Sequence, residues 1–279
     1  MWVGQQLADG LDFWGFLGSL ILGGIILGIY TGLLGYVGAK TGLSLDLLSQ
    51  RAFGEKGSYL PSAMTSFTQI GWFGVGSFVS GGTATPNFAR FAKNGKSGAI
   101  TTVVAFFIGN SLMFFFGAVS SIFVGGNDIF EVMVRLNLFY LAVLVLGLNI
   151  WTTNDNALYT AGLGLANIFH QRKKPMVLLS GIIGTVASVW LYYNFCGWLN
   201  ILHCTLPPVG MILVLAYFMN KEDFETDQPK LKTIDWFAVA GVILGAIVAN
   251  LLHWGIASIN GMVVAAVCYC VGQTVNKRK

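Results

Sequence analysis

The chain has 279 residues, of which 55% are hydrophobic and only 10% charged, with a mean hydropathy of +0.69 and a net charge of +4. A soluble domain carries about 25% charged residues, so a water-soluble fold is excluded. The positive excess is accounted for by its placement along the chain, with no nucleic-acid partner needed.

Apolar stretches able to cross a hydrocarbon core of about 30 Å fall at 13–38, 99–124, 138–168, 176–196, 199–219, 234–252 and 256–272, with an irregular stretch at 58–89. These predict an all-α polytopic membrane protein of about eight membrane segments. No Lys or Arg precedes Lys40, so the basic-then-apolar pattern of a cleavable signal peptide is missing. The 36 glycines suit close helix packing and broken helices. Cys196, Cys204, Cys268 and Cys270 lie in or beside apolar segments and read as small buried hydrophobes. Pro207-Pro208 predicts a kink within 199–219.

All the basic residues but Arg135 fall in five groups: Lys40, Arg51 and Lys56; Arg90, Lys93 and Lys96; Arg172, Lys173 and Lys174; Lys221, Lys230 and Lys232; Lys277, Arg278 and Lys279. Basic loops face the cytoplasm, which predicts a cytoplasmic C-terminus and alternating crossings from Arg90 onward. The stretch 58–89 breaks the pattern: both flanks are basic, yet the apolar sequence between them suits one crossing. Either it is a re-entrant hairpin, which Gly71, Gly74, Gly76, Gly81 and Gly82 would permit, or one flank is forced outside against its charge.

Three polar constellations sit at membrane depth, where exposure to lipid is expensive. The first is Thr152-Thr153-Asn154-Asp155-Asn156, with Asn149 one turn earlier. Its hydroxyls and a carbonyl are hard oxygen donors of the kind that replace water around an alkali cation; back-bonding of threonine hydroxyls to helix carbonyls is the structural alternative. Asp155 reads equally as an ion-handling group and as a vestibule residue. In the second, Gln69 and Trp72 share a helix face, offering an amide edge and a flat stacking surface to a planar heterocycle; an anchoring or core role suits Trp72 as well. The third, Ser77 to Thr83, mixes serines, Phe78 and glycines in a helix that unwinds easily, as at transporter substrate sites, or packs closely. His170 reads as a surface residue, His203 and His253 are isolated, and no nucleophile–base pair appears, so an enzyme is not expected.

Gly28 to Tyr36, Gln69 to Gly76, Phe88 to Phe91 and Asn149 to Tyr159 together resemble the nucleobase–cation symporter (purine/cytosine permease) family over nearly the whole chain. The resemblance implies an inverted five-helix-repeat (LeuT-like) fold and sodium-coupled nucleobase uptake across the bacterial inner membrane, cytosine being the leading substrate and purine, allantoin or hydantoin the alternatives. It implies that Trp72 and Phe78 sandwich the base, that Gln69, Ser77, Ser80 and Asn154 bond its edge, and that Thr152, Thr153 and the Asn149 carbonyl hold sodium. Residues 1–76 would be a remnant of the first repeat, 77–219 the second repeat, 220–233 a cytoplasmic loop, and 234–279 two further helices and a tail.

Two departures from the family are expected. Met1-Trp2 matches the middle of the family's first helix, and at Gly76-Ser77 the chain jumps from mid third helix to mid sixth. Three lost crossings would invert the topology, and the incomplete first repeat raises the alternative of a transport-inactive remnant.

Overall fold

Asp12 caps the first helix by accepting the Gly15 N–H, and Gly42, in the left-handed region at φ 69°, ends it. Between them runs α1 (Phe13–Thr41). The computed structural model describes residues 12–75, 81–125, 129–226, 229, 231–252 and 254–276, and every regular element among them is helical. A short helix, α2 (Leu45–Phe53), follows, and its first N–H, on Leu45, is accepted by the Asn87 side chain at 2.8 Å. Next come α3 (Tyr59–Val75), the short α4 (Gly81–Ala84) and α5 (Pro86–Ala89), then α6 (Gly95–Val104), which runs through a π-helical turn at Ala105–Gly109 into α7 (Asn110–Val124). The remainder is α8 (Ile129–Arg135), α9 (Phe139–Phe169), α10 (Lys173–Tyr193), α11 (Phe195–Met219), α12 (Lys221–Glu225), α13 (Trp236–Leu251) and α14 (Ala257–Asn276). Among the described residues, α1, Gly95–Val124, α10, α11 and α14 are long and apolar enough to cross a membrane, and α9 and α13 run beside them.

Glycines set the closest approaches. α6 packs antiparallel to α1 with Gly28, Gly32 and Gly35 facing Val103 and Thr102; a Cβ on Gly35 would stand 3.1 Å from the Gly98 carbonyl oxygen. The same occurs between α13 and α14, where a Cβ on Gly245 would meet the Gly261 carbonyl oxygen at 2.7 Å. With no hydrophobic effect between helices in lipid, contact at this distance supplies the dispersion energy that holds them. Both prolines of α11 lie within the helix, Pro208 beside Gly245 and Gly261. Cys204 is buried, and it, Cys268 and Cys270 are free thiols.

Basic loops from four of the five groups gather at one end of the bundle. Lys40 pairs with Glu225 at 3.8 Å, the Arg51 guanidinium donates to the Asp223 carbonyl, and the N–H groups of Glu55 and Lys56 donate to the carbonyls of Lys232 and Thr233. Gly95 sits against Tyr36 and Lys40, and Tyr59 bonds His170 at 2.7 Å. A buried apolar core that includes Leu34, Leu48, Phe53, Ile212 and Tyr217 lies just inside this end.

The described parts of 58–89, residues 58–75 and 81–89, run in opposite directions, as the limbs of a hairpin do. α3 leaves the basic end at Tyr59 and runs antiparallel to α9, reaching Trp198 at Gly71. The chain then returns along α1: Thr83 bonds the Tyr30 hydroxyl at 2.8 Å, Pro86 lies on Gly38, and Asn87 caps α2. Both basic flanks therefore share one face, as their charge demands. The inverted topology expected from three lost crossings is thus corrected. α3 runs away from the basic end, and α4 and α5 run back toward it. Cysteines placed singly at Glu55 and Lys93 should accordingly react with an impermeant maleimide from the same side of sealed vesicles; labelling from opposite sides would refute the hairpin.

Candidate functional site

α9 carries the polar run expected to hold the ion. The Thr153 hydroxyl donates to the Asn149 carbonyl at 2.7 Å, and the Thr152 hydroxyl lies 3.1 Å from the carbonyls of both Leu148 and Asn149. The back-bonding alternative is therefore what these hydroxyls do here. The same geometry gathers the three oxygens expected at a cation site, Asn149 O, Thr152 Oγ1 and Thr153 Oγ1, around one turn of one helix. A hydroxyl that gives its proton to a carbonyl keeps its lone pairs, so the cluster still offers acceptors to an incoming cation. Hard oxygen donors of this kind suit Na⁺ or another hard cation. Among the described residues no group of three His, Cys, Asp or Glu side chains competes as a metal site.

The cluster is open on one side. Asn149, Thr152, Asp155 and Asn156 are exposed, Thr153 and Asn154 half-buried, and the preceding turns of α9 form a shallow apolar groove lined by Phe139, Tyr140, Val143, Leu144, Gly147 and Leu148. The Asn154 Oδ1 is enclosed and has no hydrogen-bond partner among the described residues, a costly state unless something donates to it.

Across from α9 stands α3. Ser66 donates to the Ala161 carbonyl at 3.1 Å, and Asn167 lies against Ser58 and Ser62. Continuing this antiparallel register sets the backbone of residues 69–73 opposite 154–158. The backbone of Trp72 thus lies about level with Asn154, and Gln69, buried to 7% exposure, lies one turn nearer the basic end, opposite Leu158. Ser77, Phe78 and Ser80 lie outside the described residues, so the second wall of the expected pocket has no description.

A polar network that the sequence did not disclose links α2, α3 and α9 below this level. The Asn167 amide donates to Ser58 Oγ and Ser62 Oγ at 3.0 and 2.9 Å and accepts from Gln50 Nε2 at 2.6 Å. The Ser62 hydroxyl in turn donates to the buried Asp46 carboxylate at 2.6 Å. Burial pushes the Asp46 carboxyl up from 3.8 to about 6, against the hydrogen bond from Ser62 and the charge of Arg90. The one signal available was an acid set among Leu45, Leu47 and Leu48 on a short helix.

The family described as permease for cytosine/purines, uracil, thiamine and allantoin matches residues 1–85 and, separately, 75–274. The chain belongs to this permease family. It is 36% identical to the cytosine permease of Escherichia coli (strain K12) over 372 aligned positions, spanning 100% of this chain and 88% of that protein. The 372 positions exceed the chain's 279 residues by 93, so at least that many positions of the relative face a gap. The two family matches overlap at 75–85. The allantoin permease of Bacillus subtilis (strain 168) is 34% identical over 82 residues, 29% of this chain and 16% of that one. Among solved structures, MHP1, a nucleobase-cation-symport-1 family transporter in a closed conformation with bromovinylhydantoin bound, superposes with a TM-score of 0.78 at 14% identity, covering 97% of this chain and 87% of MHP1. That likeness establishes the inverted-repeat, LeuT-like transporter fold.

Proposed function

We propose that this chain is a nucleobase permease of the bacterial inner membrane, with cytosine as substrate and sodium as the coupling ion. Identity to a cytosine permease along the whole chain supports the substrate, and the oxygen cluster of α9 supports the ion. In this reading Trp72 and Phe78 stack on the base, while Gln69, Ser77, Ser80 and Asn154 bond its edge, with the unpartnered Asn154 Oδ1 accepting a ring or amino N–H. Asn149 O, Thr152 and Thr153 hold the cation on the same helix. Ion binding fixes that turn and raises affinity for the base, and by linkage the base raises affinity for the ion equally. The basic end is cytoplasmic by the positive-inside rule, with the C-terminus on that side. Residues 1–76 serve as the remaining part of the first repeat, 77–219 as the second, 220–233 as a loop, and 234–279 as two appended helices and a tail.

A second reading, favoured by the open face of α9 and the 93 unmatched positions, is a membrane-inserted relative that no longer transports. Radiolabelled cytosine uptake into proteoliposomes separates the two. An inward sodium gradient should raise uptake several-fold over potassium, Thr153→Ala should abolish the sodium dependence, and Trp72→Ala should abolish uptake. Uptake equal to protein-free vesicles refutes transport; thermal stabilisation by cytosine with sodium would then leave binding alone.

A further inference from the structure

Two cations converge on one tyrosine at the basic end. Arg90, at the foot of the hairpin's descending limb, donates from a guanidinium nitrogen to the Tyr159 hydroxyl at 2.6 Å. Lys173, which begins α10, holds its ammonium 3.5 Å from the centre of the same ring. Ion pairs among the described residues join Lys40 to Glu225, Arg135 to Glu131 and Lys232 to Asp235, and take in neither of these cations. Arg90 Nε is buried with no hydrogen-bond partner among the described residues. Asp46 feels the charge of Arg90 without forming an ion pair with it and gives its oxygen to Ser62 instead. α10 also starts without a side-chain cap, at Arg172. Two like charges one tyrosine apart repel, and an anion placed between them relieves that repulsion.

The surroundings identify that anion's source. Phe91 is 74% exposed against the Arg90 guanidinium, which lies 4.7 Å from its ring centre, and Phe88, 41% exposed, leans on Tyr159 at 6.2 Å. A free phosphate has no use for exposed aromatic rings beside the charges, whereas a lipid presents acyl chains directly below its phosphate. We propose that Arg90, Tyr159 and Lys173 form a headgroup site for an anionic phospholipid, with Phe88 and Phe91 against its acyl chains. Bound there, the lipid phosphate ties the descending limb of the hairpin to α9 and α10.

The test is thermal unfolding of the purified full chain in neutral detergent, followed by tryptophan fluorescence and titrated with phosphatidylglycerol, phosphatidylcholine or inorganic phosphate. Phosphatidylglycerol should raise the midpoint saturably, and the other two should not. The double substitution Arg90→Gln with Lys173→Gln should raise the half-saturating lipid concentration about tenfold or more. Lys93→Gln with Lys96→Gln removes as much charge from exposed positions nearby and should change it less than about twofold. Tyr159→Phe keeps the ring under Lys173 but loses the anchor of Arg90, and should fall between. Equal losses in both double variants, an unaltered response in Tyr159→Phe, stabilisation by phosphate alone or by phosphatidylcholine, or no saturable stabilisation would each overturn the proposal.

Discussion

At pH 8, Asp46→Asn should unfold at a higher temperature than the parent chain, and the gap should close progressively as the pH falls to about 4. A carboxyl lifted from 3.8 to about 6 by burial binds its proton more tightly folded than unfolded. Its stabilising effect is therefore complete below the ordinary carboxylate value and is lost as pH rises through about 6. Above that, the folded state carries a buried carboxylate at a cost of up to about 3 kcal/mol. Asparagine keeps an oxygen to accept from Ser62 and removes the charge. Thermal midpoints of both proteins between pH 4.5 and 8.5 measure the effect. A parent curve as flat as the variant's across that window would show that Asp46 is not held against its charge.

Gly164→Leu should leave little folded protein in detergent. A Cβ at Gly164 runs into Ser66 Oγ and stands 2.8 Å from the Ser62 carbonyl oxygen, so the backbones of α3 and α9 must part. Overpacking of this kind costs about 1–3 kcal/mol or more. Separation also pulls Asn167 away from Ser58 and Ser62, leaving buried polar groups unmatched at about 1–3 kcal/mol each. Gly147→Leu, on the same helix with nothing within 4 Å of its Cβ, is the control and should purify like the parent. Size-exclusion profiles of the two variants decide the matter, and a monodisperse Gly164→Leu peak would refute the close approach.

The long helices were legible because a bilayer imposes a length on any apolar run, and their direction was legible because lysines and arginines mark one face. The hairpin was legible only as a conflict, since charge demanded it while apolar length equally suited a single crossing. Contacts of Thr83, Pro86 and Asn87 with α1 and α2 decided between them. The oxygens of Asn149, Thr152 and Thr153 could be grouped in advance because helix geometry alone brings i, i+3 and i+4 together. Asp46, Ser62 and Asn167 could not, because their partnership crosses three helices and leaves no period in the sequence. The meeting of Arg90 and Lys173 on Tyr159 escaped for the same reason: the two lie 69 residues and one short loop away from it.

The hairpin also bears on how such a chain can be made at all. Joining a rising limb to a falling one leaves an even count of passages, so everything downstream keeps the side that its charges assign. A cut between two limbs of like direction would have reversed each later segment against its own flanking lysines and arginines. Flanking charges thus meet no contradiction here, since the basic groups at 40–56 and 90–96 lie at one end of the bundle.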